Sequence, residues 1–182
     1  MPAVTFRAAC AADAGGIAAL HADSWRRYYR GAYADAFLDG DVLADRRVVW
    51  SGRLAAQGPG TITILAEADG EIRGFVHVVL DDDERWGSLV DNLHVTHTRH
   101  RSGIGSGLIT RAAQGVTDRG ATTSMYLWVL EQNTAAQAFY AAHGGSCAER
   151  AFVQSPGGPG RLNGRPVKLR YAWVDARRVL RR

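Results

Sequence analysis

The feature that most restricts this chain is the run Arg101-Ser102-Gly103-Ile104-Gly105-Ser106-Gly107, set between two segments of opposite periodicity. Residues 87–95 predict a strand, whereas Ile104, Leu108, Ala112 and Val116 repeat at four-residue spacing and predict a helix. The glycines therefore stand at a helix N-terminus. Unpaired N–H groups of a first helical turn face outward with the positive end of the dipole, and glycine admits a ligand close to the backbone. Arg99 and Arg101 flank the turn, and Ser102 and Ser106 add hydroxyl donors, so a pyrophosphate suits it better than a lone carboxylate. An ordinary glycine-punctuated helix start carries the same letters. A P-loop requires a Gly-Lys pair, and the sequence has none. The dinucleotide fingerprint requires a third glycine where Leu108 stands, near the start of a parallel unit.

The rest of the chain supplies a frame for this turn. Residues 4–8 predict a strand; Ile17, Leu20, Trp25 and Tyr29 predict a helix from residue 11 to Gly31, and 33–38 and 42–56 continue the helical character up to Gly58-Pro59-Gly60. Thr61-Ile62-Thr63-Ile64-Leu65, the turn Asp69-Gly70 and residues 72–80 predict an antiparallel pair, with 81–85 as a polar turn. Residues 123–130 are apolar on both faces and predict a central strand. A helix at 133–142 ends at Gly144-Gly145, and two strands follow, the second at 167–174, with a flexible loop at 155–160.

A length of 182 residues with 46% hydrophobic content supports one buried core. The net charge of +4 arises from interspersed residues, with a basic cluster only at Arg177, Arg178, Arg181 and Arg182, read as a solvated tail, so a nucleic-acid partner is not expected. Cys10 and Cys147 fit neither a metal site nor a disulfide framework. No segment predicts a signal peptide or a membrane span, and a cytoplasmic location without metal or membrane partner is the expectation.

Asp91-Asn92-Leu93-His94-Val95 followed by the glycine run through Ile109 resembles the acetyl-CoA motif of the GNAT superfamily, written Arg/Gln-x-x-Gly-x-Gly/Ala. Downstream, Asn133, Ala136, Phe139, Tyr140 and Gly144 match a second block, Asn-x-x-Ala-x-x-Phe-Tyr-x-x-x-Gly. The resemblance covers 61–149, and residues 24–31 are similar to a phrase in uncharacterised bacterial members. One departure is His100 where the family has Arg or Gln, which shifts pyrophosphate binding to backbone N–H groups, Arg101 and Arg99.

The resemblance implies an α/β (α+β) GNAT-type domain: a mixed, mostly antiparallel sheet of about seven strands, splayed and flanked by helices. Residues 1–182 form one domain, with 1–60 as a helical acceptor-side part, 61–150 as the acetyl-CoA-binding core, and 151–182 as C-terminal strands and basic tail. It implies acetyl-CoA as cofactor, CoA as product, and transfer to the amine of a small-molecule acceptor. Cofactor-binding residues would be Leu93, His94, Val95, His100, Arg101, Ser102, Gly103, Ile104, Gly105, Ser106, Asn133, Ala136 and Tyr140. Tyr140 would protonate the leaving sulfur, and the N–H of Leu93 would stabilise charge on the thioester oxygen.

The amine must lose a proton before it attacks. Some relatives place a glutamate five residues before the asparagine, but Trp128 stands there, so Asp91 is the candidate base, with Glu84, His94 and Glu149 in reserve. Trp25, Tyr28, Tyr29 and Trp128 suggest an aromatic wall for the acceptor, although Trp25 also fits its helix's apolar face. A catalytically idle acyl-CoA-binding domain and a protein N-terminal acetyltransferase are the alternatives, and an exposed C-terminal strand edge permits a homodimer.

Overall fold

The β-branched residues of 61–64 form the start of β2 (Thr61–Ala68), which reverses at Asp69 and Gly70, both at positive φ, into β3 (Glu71–Asp83). This computed structural model describes residues 3–99, 102–155 and 160–181. β1 (Thr5–Ala8) pairs with β2, and β4 (Gly87–Val95) pairs with β3, all antiparallel. β5 (Met125–Leu130) runs parallel to β4, and β7 (Val167–Trp173) inserts between β5 and the edge strand β6 (Ser146–Phe152). The order is β1-β2-β3-β4-β5-β7-β6 in one seven-stranded sheet.

Two features differ from expectation. Residues 81–83 extend β3 rather than forming the turn, because the Tyr126 hydroxyl donates to Asp82 (2.5 Å) and the Asp81 carboxylate takes the Ala121 N–H (2.9 Å). The polar letters meet partners on β5 and the segment before it. The basic end is not simply a solvated tail: α6 (Arg177–Leu180) turns Val179 into the core, beside the fully buried Ala176.

Both faces of the sheet are covered by helices. α1 (Ala14–Tyr28), α2 (Asp35–Asp39) and α3 (Val42–Ala55) lie on one side, where Ile17, Trp50, Leu65 and Phe75 pack together. α4 (Ile104–Arg119), α5 (Thr134–Ala142) and α6 take the other, with Leu108, Ala112 and Val116 packed onto Val76, Val78 and Met125. Gly74 sets how closely α4 sits, since a Cβ there would stand 3.0 Å from Ile104 and Leu108.

Candidate active site

β4 and β5 pair only at their beginnings, Ser88 with Met125 and Leu89 with Tyr126, and then diverge. Strands about 5 Å apart that splay must leave backbone groups without a ladder partner. The Thr96 N–H bonds the Arg73 carbonyl on β3 (2.8 Å), so the alternation of an antiparallel ladder turns the Leu93 N–H the other way, toward the opening. A cleft of about 620 Å³ fills this gap and is lined from both strands, the start of α4, helix α5 and the end of α1.

One end of the cleft carries the glycine turn. Gly103 caps α4 at φ +82°, a left-handed conformation that glycine adopts without strain. The first bond of the helix runs from the Gly107 N–H to the Gly103 carbonyl (2.9 Å), which leaves the N–H groups of Ile104, Gly105 and Ser106 at its positive end. Gly103, Gly105 and Ser106 line the cleft. Ile104 contributes its N–H alone, because its side chain is buried beside Gly74. Phe139 of α5 packs on Gly105, where a Cβ would meet its ring at 3.3 Å. His100 and Arg101, and the side chain of Arg99, lie outside the described residues.

The middle of the cleft is formed by Leu93, His94, Val95, Asn133, Ala136 and Tyr140. Asn133 caps α5 and accepts the Ala136 N–H on Oδ1 (3.2 Å). Tyr140 is buried, and burial pushes its hydroxyl up to about 12, so it is a protonated donor at neutral pH. His94 keeps an edge on the cleft while its ring packs on His21 at 4.6 Å; burial lowers it to about 4, against the pull of Asp91, so it is a neutral imidazole. Behind it, His21 accepts the Trp50 indole N–H on Nδ1 (2.9 Å), and burial holds it neutral too.

The far end is aromatic and polar. Ser24, Tyr28, Tyr29, Asp91 and Trp128 meet here, and Gln132 fixes the chain after α1 by donating to the carbonyls of Tyr28 (3.2 Å) and Arg30 (2.7 Å). Asp91 is paired with Arg53 of α3 (2.7 Å) and takes the Asn92 amide (2.6 Å). Both contacts fall on Oδ2, so among the described residues Oδ1 has no bonded partner. Trp128 faces the cleft with Lys168 and Arg170 over its ring at 4.2 and 4.3 Å.

Of the described candidates, Asp91, Leu93, His94, Val95, Gly103, Gly105, Ser106, Asn133, Ala136, Tyr140, Tyr29 and Trp128 meet at the cleft, whereas Ser102, the Ile104 side chain and Trp25 do not line it. Trp25 is buried behind the wall, stacked on Tyr29 (5.0 Å) and covered by Arg46 (4.4 Å), so its place is the core. Of the reserve bases, Glu149 pairs with Arg170 (2.9 Å) on the edge strand and Glu84 sits in the β3–β4 turn, both away from the cleft. Sequence reasoning missed Ser24, which opens the 24–31 phrase, His143, which fills an unspecified position of the second block and bonds Ser106, and Arg53, which reaches Asp91 from a helix with no motif. Among the described residues no cluster of His, Cys, Asp or Glu has the grouping of a metal site, and no helix is long and apolar enough to cross a membrane.

A mixed sheet split at its parallel pair, with a glycine turn and helix start at the split, is the architecture of an acyl-CoA-using acetyltransferase. The chain belongs to the GNAT family: the family model described as "Acetyltransferase (GNAT) family" matches residues 18–144, more than half its length. It is 27% identical over 132 residues to the uncharacterized N-acetyltransferase YuaI of Bacillus subtilis (strain 168), covering 71% of this chain and 73% of that protein. Its fold is similar to that of the PaiA N-acetyltransferase from Thermoplasma acidophilum in complex with coenzyme A, with a TM-score of 0.72 and 15% identity over 94% of this chain and 99% of that one. It is also similar to YncA, a putative acetyltransferase from Salmonella typhimurium with its cofactor acetyl-CoA, at a TM-score of 0.67 and 18% identity over 95% of each chain.

Proposed function

We propose that this chain is an acetyl-CoA-dependent N-acetyltransferase that moves the acetyl group to the primary amine of a small-molecule acceptor by direct attack in a ternary complex. The observation that carries this reading is that the glycine turn, Tyr140 and Asp91 all face one cleft at the split between β4 and β5. The residues fit the cofactor: helix-terminal N–H groups at Gly105 and Ser106 suit a pyrophosphate, and the strand edge at Leu93 suits the amides of a pantetheine arm.

When bound, acetyl-CoA supplies an activated acetyl thioester. The Leu93 N–H is placed to hold the carbonyl oxygen as negative charge builds on it. Asp91 Oδ1 orients the incoming ammonium and takes its proton, while Arg53 keeps the carboxylate in place through Oδ2. Tyr140 gives a proton to the departing sulfur, a role that its raised pKa preserves well above neutral pH. Tyr28, Tyr29 and Trp128 enclose the apolar body of the acceptor, which favours an amine carried on a ring or short aliphatic frame.

Acetyl-CoA at 100 times its Kd should stabilise the folded chain by about 2.7 kcal/mol, and a panel of amines should contain one that releases CoA. Absence of stabilisation would reject the cofactor. Stabilisation without CoA release for small amines or for peptide N-termini would assign the chain as an idle acyl-CoA-binding domain, and release with peptides alone would move the acceptor to protein N-termini.

A further inference from the structure

His143 ends α5 and connects it to the glycine turn. Its Nδ1 lies 2.8 Å from the Phe139 carbonyl and its Nε2 lies 3.0 Å from Ser106 Oγ. A carbonyl only accepts, so Nδ1 carries a proton, and a neutral imidazole then has a bare Nε2. In that state the Ser106 hydroxyl must donate to His143. Ser106 lines the cleft in the first turn of α4, where the reading above places the cofactor's pyrophosphate.

This arrangement conflicts with anion binding. A hydroxyl has one proton, and while His143 takes it Ser106 presents only lone pairs to a phosphate oxygen. If the hydroxyl turned to the phosphate, Nε2 and Oγ would face each other as two acceptors at 3.0 Å. A proton on Nε2 removes the conflict, since His143 then donates to Ser106 and Ser106 donates to the phosphate. The added positive charge also favours the anion.

We propose that His143 is a positioning residue for Ser106 and that binding of the pyrophosphate draws one proton from solvent onto His143 Nε2. Imidazole is the side chain suited to such an exchange near neutral pH. Three elements meet His143. α4 presents Ser106, α5 presents the Phe139 carbonyl and a ring at 4.2 Å, and on β7 the Trp173 indole N–H binds His143's own carbonyl (2.9 Å). Among the described residues no acidic or basic side chain bonds to the ring. The inference rests on the cofactor assignment made above.

The test is calorimetric titration with acetyl-dephospho-CoA, which retains the pyrophosphate but has neither the 3′-phosphate nor a free thiol, so the ligand itself takes up no proton near neutrality. Binding enthalpies at one pH in buffers of different ionisation enthalpy should report net proton uptake, and affinity should fall with rising pH by at most about tenfold per unit. His143→Gln, whose amide donates to Ser106 at every pH, and Ser106→Ala, which removes the relay, should both bind without uptake. Ser106→Ala guards against the glutamine variant failing to fold. Binding without proton uptake in the unmodified protein, or uptake that persists in Ser106→Ala, overturns the coupling. If neither acetyl-CoA nor its dephospho form binds, the cofactor assignment fails first and the coupling with it.

Discussion

Acid should destabilise this protein well before its carboxylates are protonated, because three histidines, His21 and His77 buried and His94 half-buried at the cleft, are held neutral between α1, α3 and the sheet. His77 accepts or donates one bond with Thr63 Oγ1 (2.8 Å) and is lowered by burial to about 4, as is His94; His21 is 1% exposed and is also lowered, chiefly by burial. In the unfolded chain each returns to about 6.5 and binds a proton the folded chain refuses. The unfolded state then gains protons as pH falls, so stability is present above about pH 6.5 and is lost between that value and about 4. At about pH 5.5 each unfolded imidazole contributes roughly 1.4 kcal/mol to unfolding, and the three together roughly 4 kcal/mol. That is a large fraction of an ordinary stability of about 5–15 kcal/mol.

Urea unfolding at about pH 7.5 and about pH 5.5, with the m-value unchanged, measures the difference directly. Asp13, Asp45 and Asp83 are all held below the ordinary carboxylate range, so their loss falls at lower pH and does not enter this window. His94→Gln, at the one position of the three with an edge on the cleft, should reduce the pH dependence by about a third. A stability that changes by less than about 1 kcal/mol across the window would mean that these imidazoles charge in place, and the reasoning from burial would fail.

Three further outcomes follow from particular contacts. Tyr140→Phe removes only the hydroxyl proposed as proton donor, so turnover with an accepted amine should fall by about 10² to 10⁴ while acetyl-CoA affinity, by calorimetry, stays nearly unchanged. Asn133→Ala removes the acceptor of the Ala136 N–H and should cost about 1 kcal/mol in thermal or urea unfolding, together with weaker acetyl-CoA binding. Gly74→Val drives a side chain into Ile104 and Leu108 and should cost about 1–3 kcal/mol, with a larger proportional loss of acetyl-CoA affinity than of stability in Gly145→Ala, where the added Cβ meets Trp173 away from the turn.

How far the sequence shows the site depends on whether its parts are local. The strand at 87–95, the glycine at 103 and the helix that opens at Asn133 are decided within one element, so the letters alone place them. Trp25 is the opposite case: a tryptophan on the inner face of α1 has the same spacing whether it meets substrate or Tyr29 and Arg46, and only packing separates the two. The acidic run 81–83 reads as a turn until Tyr126 and Ala121, about 40 residues away in sequence, supply its partners.

Helix α5 shows what lies between these limits. Phe139 and His143 are four residues apart and share a face, which meets α4: one ring packs on Gly105 and the other bonds Ser106. Tyr140, about 100° around the helix, instead turns toward Tyr171 and Trp173 and the cleft between them and β4. The spacing is legible in the letters, but which element each face meets is not. Because both faces belong to α5 and its C-cap, the end of the cleft proposed for the pyrophosphate and the hydroxyl proposed as proton donor are linked through one helix. A disturbance at Ser106 or Gly105 should therefore alter Tyr140's placement, and losses in Gly105→Ala should appear in turnover as well as in affinity, whereas loss of affinity alone would show that the two ends move independently.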